Sequence, residues 1–450
     1  MANLSQDPAG HELDLSTHSV PDSARMPAFS LTMAWWAVCS AVFYIVVGAA
    51  LALQYGTRNA LIGMVLSVIS YGIVNSIISR YAIRTGLSVA LFSRVLFGGA
   101  GAALATLIFF ATAIYYAVFE GSVIAVAAHN LFPALDYKWA ALIVVCYSVP
   151  LVFGSVQHWL DKFNGVLLPF YLLGLLAAVL LTTHEYGYNP AWLDFGPKGT
   201  IPANGWWNCF VYYMGVWVLM MFTFDYARFG RQKDAPYHGR FNFGMPFYLV
   251  TFLLNGAVGI YLVSTIPGLG PLSEVSVVLA LLKLMGIWGL LFVWVTQSRI
   301  NTANYYLAAI NMQAFFRKVA GLHAPKFVWA LVVGVVVYAL MMADVFSKIL
   351  QALAYQGIFV VAWVGVALAH ILSTKVDTLL GTEIECRDSH VPAFNPGGLT
   401  AWFAGAFAGL LLMNLPGALQ SLSAPATFVV SWVTYRAMLA AAKRTWFVRG

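Results

Sequence analysis

Charge is scarce in this chain. Of its 450 residues, 9% are Asp, Glu, Lys or Arg, and 61% are hydrophobic. A soluble domain carries roughly 25% charged and about 45–50% apolar residues, so a soluble globular class is excluded. Cysteine is sparse as well. Cys39, Cys146, Cys209 and Cys386 form no CxxC pair, and three lie in or near apolar segments. Neither a disulfide framework nor a thiolate metal site is indicated. The nine histidines fall mostly in tails and loops, with no HExxH motif and no paired acids within a span. An intramembrane enzyme would need such a cluster or a nucleophile–base pair. Repeated rings of charge, which a channel would place along its pore, are missing too. Residues 1–28 lack an apolar h-region, so they do not read as a signal peptide. They read as a largely disordered cytoplasmic tail.

Apolar helical runs are what the chain has in abundance. A helix needs about 20 apolar residues to cross the hydrocarbon core. Twelve stretches qualify, near 29–54, 59–83, 102–128, 138–156, 163–183, 205–224, 241–265, 282–309, 327–346, 349–372, 398–415 and 418–438. No alternation of the barrel type accompanies them, so the expected fold is an all-α polytopic membrane protein with 12 transmembrane helices. The cations support that count. With the N-terminus inside, eighteen of the 24 Lys and Arg fall on cytoplasmic segments. Arg58, Lys138, Lys198 and Lys348 fall outside, and Lys283 and Arg299 lie within the eighth run. This asymmetry places both termini in the cytoplasm of a cell-membrane protein. It also makes the net charge of +7 a topological signal rather than a nucleic-acid footprint.

The eighth run contains "VTQSRINTANYY", residues 295–306. Lys283 is near its start and can snorkel to the interface. Arg299 is more deeply placed, where an arginine costs roughly 2.5–3.5 kcal/mol by insertion scales. Glu120, in the third run, is the single acid deep inside any span. Two readings follow: Glu120 and Arg299 line a polar midplane cavity, or they form an ion pair that locks two helices. The neighbouring Gln297, Ser298, Asn301 and Asn304 favour a lining, since a static buried pair is expensive. Tyr116 and Glu120 share a helix face, and Tyr116 and Trp217 are mid-helix aromatics suited to a flat ligand. Gly48 and Gly215 are candidate break points in the first and sixth runs. "MAWWAVCSAVFY" and "NGWWNCFVYYMG" are faintly alike and stand five helices apart, which hints at a five-plus-five repeat with broken helices at the site.

Three stretches together resemble the nucleobase:cation symporter-1 family, which includes cytosine/purine permeases and allantoin and hydantoin transporters. They are "RTGLSVALFSRVLFGGAG" (84–101), "TFDYARFGR" (223–231) and "TQSRINTANYYLAAIN" (296–311). Their order and spacing cover about residues 29–440. The resemblance implies a leucine-transporter-type fold. Residues 29–183 and 205–372 would be inverted five-helix repeats, 396–438 two additional helices, and 439–450 a cytoplasmic tail. It implies a secondary active importer of a nucleobase-like planar heterocycle, working by alternating access with sodium or proton coupling. An amino-acid or amine permease of the same fold is the alternative. Tyr116 matches the family's third-helix stacking aromatic, and Glu120 the amide one turn later. A carboxylate only accepts hydrogen bonds, so it would select two N–H donors. The sixth-helix aromatic position falls on Val216, with Trp217 as its substitute. Asn304 is the expected eighth-helix substrate contact, and Phe43, near the first-helix break, is a further expected substrate contact. The implied sodium site uses backbone carbonyls near Ser40–Phe43 and hydroxyls at Gln297–Ser298, so Ser298 is the candidate sodium ligand. Arg299, immediately adjacent, is a candidate surrogate for the ion. No other cofactor is expected, and the sequence does not specify an oligomeric state.

Overall fold

The computed structural model describes residues 18–152, 155–380, 384–387 and 389–449, excluding the side chains of 155–166, 349 and 377. Residues 1–17 of the expected tail and the last residue, 450, lie outside that description. Among the described residues the regular structure is helical, with one isolated bridge between Met26 and Gly230. The helices are α1 (Ala28–Trp36), α2 (Val42–Tyr55), α3 (Thr57–Thr85), α4 (Val89–Phe97), α5 (Ala102–Leu131) and α6 (Tyr137–Ser148). Next come α7 (Ser155–Tyr186), α8 (Gly205–Met214), α9 (Val218–Ala227), α10 (Gln232–Thr265) and α11 (Ser276–Met285). The last are α12 (Ile287–Ala320), α13 (Lys326–Met342), α14 (Ile349–Ile371), α15 (Thr374–Leu380), α16 (Pro396–Met413) and α17 (Ser423–Ala440).

Six helices in the described residues are long and apolar enough to cross a membrane, and eight if two bent pairs each count once. The chain is an integral membrane protein. The bent pairs are α1–α2, at 42°, and α8–α9, at 41°. A short 3₁₀ turn, Ala37–Ser40, and the extended Ala41 (φ −67°, ψ 124°) interrupt the first pair. The interruption is therefore not at Gly48, where the sequence suggested it. Gly48 instead marks a close helix crossing, since a Cβ there would lie 2.3 Å from the Gly256 Cα. The second interruption does fall at Gly215, as expected, and the 3₁₀-type bonds of 215–217 carry the chain through it.

A helix break frees backbone groups that lipid cannot satisfy, and neighbouring helices satisfy several here. Asn255 of α10 donates to the Cys39 carbonyl at 2.8 Å, and Tyr171 of α7 donates to the Asn255 Oδ1 at 3.0 Å. At the second break Tyr71 of α3 donates to the Tyr213 carbonyl at 2.7 Å.

Three local features differ from the sequence reading. The eighth run splits at Gly286, whose φ of 53° suits glycine. Lys283 thus sits on α11, where its Nζ donates to the Pro267 carbonyl. The stretch 84–101, outside the twelve runs read from sequence, contains α4. The Ser88 hydroxyl accepts from Leu91 N, and Asp225 of α9 accepts from Val89 N at 3.1 Å. Two of the resemblance stretches are therefore joined by a helix cap. Finally, the described end of the expected tail is held in place. Arg25 Nη1 donates to the carbonyls of Ile83 and Gly230 at 2.6 Å, and Val20 N to Gly86 O.

Candidate functional site

α12 packs most extensively on α5, and α2 on α10. Among α2, α5, α9 and α12, beside both breaks, lies a cavity of about 100 Å³. Phe43 enters it from α2, Tyr116 and Glu120 from α5, and Arg299 and Asn304 from α12. Four of the five residues expected to touch substrate are therefore brought together, with Arg299 at the same cavity. Phe43 stands edge-on to Tyr116 at 5.1 Å and to Phe119 at 5.0 Å between ring centroids. Phe119 in turn packs against Phe346 at 5.1 Å. Of these rings, Phe43 and Tyr116 line the cavity, and Phe119 and Phe346 pack behind Phe43.

Glu120 is 1% exposed, and its Oε2 is buried with no hydrogen-bond partner among the described residues. Asn304 Nδ2 is in the same condition. The cavity thus offers an unsatisfied carboxylate acceptor and an unsatisfied amide donor, with the Tyr116 hydroxyl also unpartnered beside them. Buried polar groups left without partners cost about 1–3 kcal/mol each, so this pairing of acceptor and donor suits a polar ligand that supplies both. No ion pair joins Glu120 to Arg299 among the described residues. The two share a cavity lining rather than a bolt between helices.

Arg299 is directed at the first-helix break. Its Nη1 donates to the Ala37 carbonyl at 2.8 Å, with the Ser40 hydroxyl at 3.5 Å. Ser40 itself donates to the Ala37 carbonyl at 2.7 Å. Gln297 Oε1 accepts from Val42 N at 3.3 Å, just past the break. The eighth-run segment therefore braces both ends of the interruption. Ser298 does not take part, because its hydroxyl pairs with the Tyr147 hydroxyl of α6 at 2.7 Å. The α12 hydroxyl is turned to another helix, and a guanidinium already engages a break carbonyl.

The structure does not bring Trp217 to this cavity. It lies in the α8–α9 break, 5.6 Å from Phe428 of α17 and 6.3 Å from Tyr71, centroid to centroid. Val216 does not line the cavity either. The aromatics that α9 contributes are Phe222 and Tyr226, one and two turns further on. The sequence signal was available in "VLMMFTFDYARFG" (218–230), where positions 218, 219, 222 and 226 share one helix face. The expected break at Gly215 drew attention to the wrong aromatic.

No protein-family model matches the chain, and no curated protein does. Solved structures do. The inward-facing conformation of Mhp1 matches with a TM-score of 0.74 at 13% identity, over 98% of this chain and 95% of that one. Mhp1, described as a nucleobase-cation-symport-1 family transporter, also matches in a closed conformation with bromovinylhydantoin bound. There the TM-score is 0.70 at 14% identity, covering 95% and 96% of the two chains. MhsT in complex with L-phenylalanine matches with a TM-score of 0.55 at 11% identity, covering 93% and 98%. At these identities the similarity establishes a shared fold.

Proposed function

We propose that this chain is a secondary active transporter, not an enzyme, of the nucleobase:cation symporter-1 type. It imports a small planar N-heterocycle by alternating access. The observation that carries this reading is the pair of unsatisfied groups, Glu120 Oε2 and Asn304 Nδ2, in one cavity beside two broken helices. A heterocyclic amide edge presents the complementary donor and acceptor side by side. Phe43 and Tyr116 supply the aromatic surface for its faces. A cavity of about 150 Å³ in a protein core holds a benzene ring, so about 100 Å³ suits a single ring better than a large solute. The shared fold with Mhp1, whose bound ligand is a hydantoin, agrees with that substrate class.

The topology proposed with it has twelve spans and both termini cytoplasmic. Residues 29–183 and 205–372 are the inverted repeats, and the two bent pairs begin each of them. Coupling does not use a sodium ion at Ser298. Arg299 takes the ion's place as a fixed cation between α12 and the first break, and Glu120 carries the coupling proton.

One observation favours a second reading. An unpaired buried carboxylate suits an amine, and MhsT, which binds L-phenylalanine, shares the fold. Uptake into proteoliposomes separates the two, with competition by cytosine, uracil, purines, hydantoins, allantoin, amino acids and amines, with and without sodium. The proposal expects competition from the heterocycles and no sodium requirement. Competition confined to amino acids or amines would replace it with the second reading.

A further inference from the structure

At the far end of α3 from Arg58 lies a second and larger cleft, of about 1040 Å³, which transport as proposed does not use. It is enclosed by the ends of α3 and α14, by α15, by residues 384–387 and by the chain after α17. Three arginines line it, Arg84, Arg387 and Arg444, against one carboxylate, Glu385. Glu385 is already committed. It accepts from Arg387 at 2.5 and 2.9 Å, and that guanidinium holds its carboxyl down at about 2. Arg84 and Arg444 have no carboxylate partner among the described residues.

Cations on this face are expected of any membrane protein with this topology, so the rim alone carries nothing. The floor is different. His370 is 1% exposed and lines the cleft. Its Nδ1 is 2.7 Å from the Tyr435 hydroxyl, and its Nε2 is buried with no partner among the described residues. With the Tyr435 hydroxyl donating to Nδ1, Nε2 carries the hydrogen and offers a buried donor. Arg84 is also oriented, its guanidinium 5.2 Å from the centre of the Tyr81 ring that lines the same cleft. The Arg94 Nη1 donates to the Cys386 carbonyl and fixes the wall between Glu385 and Arg387.

We propose that this cleft binds a phosphate-bearing anion. Arg84 and Arg444 supply the charge, and His370 Nε2 supplies a donor at the floor. Arginine is suited to this because its planar fork matches phosphate oxygens in pairs. The shared chemistry is a phosphate group, presented by a soluble cytoplasmic phosphate compound or by a lipid headgroup. Because the cleft joins the ends of α3 and α14 to the chain after α17, occupancy ties those elements together.

The test uses the full chain in nanodiscs, read by calorimetric titration and thermal unfolding. In phosphatidylcholine discs at low salt, inorganic pyrophosphate is titrated against the wild type. In a second arm, discs containing phosphatidic acid are compared with phosphatidylcholine alone. Pyrophosphate binding identifies the soluble source, and stabilisation by phosphatidic acid without pyrophosphate binding identifies the lipid source. In either case R84Q/R444Q is expected to weaken the response at least tenfold. R84K/R444K, which keeps the charge but not the fork, is expected to bind between the wild type and R84Q/R444Q, and R58Q, at the opposite end of α3, to match the wild type. R444Q alone keeps the test open if the double variant does not fold, with an expected loss of about threefold or more. The proposal is overturned if neither anion is bound, or if the glutamine variants bind as the wild type does.

Discussion

Arg299 donates to the Ala37 carbonyl at 2.8 Å, so a cation fixed on α12 is bonded to the backbone of the broken first helix. Such a charge-assisted bond contributes about 1.5–3 kcal/mol. In an alternating-access carrier this contact must hold or release as the helices rock. Arg299→Asn removes the charge and opens the space beside Ser40. The variant is expected to be less stable by that amount and to acquire sodium-dependent uptake, whereas wild-type uptake is expected to be indifferent to sodium. Replacing sodium by choline in a proteoliposome assay of both proteins decides this. Strict sodium dependence of the wild type would sink the surrogate role.

Asn255 serves the same break from the other side. It donates to the Cys39 carbonyl and accepts from Tyr171. Asn255→Ala leaves both partners buried and unsatisfied, at about 1–3 kcal/mol for each group. Thermal unfolding in detergent should show a marked loss for this variant. A melting curve equal to the wild type's would mean that water or a backbone shift satisfies the Cys39 carbonyl instead.

Trp217 and Phe222 separate packing from binding. Trp217 packs on Phe428 and Tyr71 outside the cavity, while Phe222 lines it. Trp217→Ala is expected to cost about 3–5 kcal/mol of stability and leave the order of competing substrates unchanged. Phe222→Ala should weaken substrate binding severalfold. Equilibrium binding with a labelled substrate, beside unfolding curves, distinguishes them. The reverse pattern would return Trp217 to the site.

Gly48 is a packing requirement rather than a hinge. A methyl group there meets the Gly256 backbone at 2.3 Å. Gly48→Ala must push α2 and α10 apart, at about 1–3 kcal/mol for overpacking. Both the unfolding temperature and the uptake rate should fall. A neutral result would show that the crossing is looser than the structure has it.

Some of this arrangement was legible in the residues alone. Arg299 and Glu120 stood out because a lipid-embedded charge needs a polar surrounding, and both proved to face one cavity. Asn304 was legible for the same reason. Ser298 was not, because a hydroxyl's direction depends on which helix approaches it, and Tyr147 lies 151 residues away. The first-helix break was legible only through the family resemblance, which put it near Ser40–Phe43. Glycine content alone pointed to Gly48, a position chosen by close packing rather than by backbone freedom. Trp217 misled because a broken helix rotates the faces that follow it, so helical spacing from Trp206 and Tyr213 no longer applies. The helix at 89–97 escaped notice because its nine residues are far too few to span a membrane, although Ser88 caps it locally and Asp225 from a distance.

The central claim is that Glu120 accepts hydrogen bonds from the substrate in the cavity it shares with Asn304. Its most direct test is equilibrium binding of a panel of nucleobases, hydantoins and amines to purified wild type and Glu120→Gln, repeated across pH. The account predicts that wild type binds a heterocycle that offers an N–H to Glu120 beside an acceptor for Asn304. It predicts that the glutamine variant, whose amide both donates and accepts, loosens that preference and loses the pH dependence of binding. Unchanged preference and unchanged pH dependence in Glu120→Gln would contradict it.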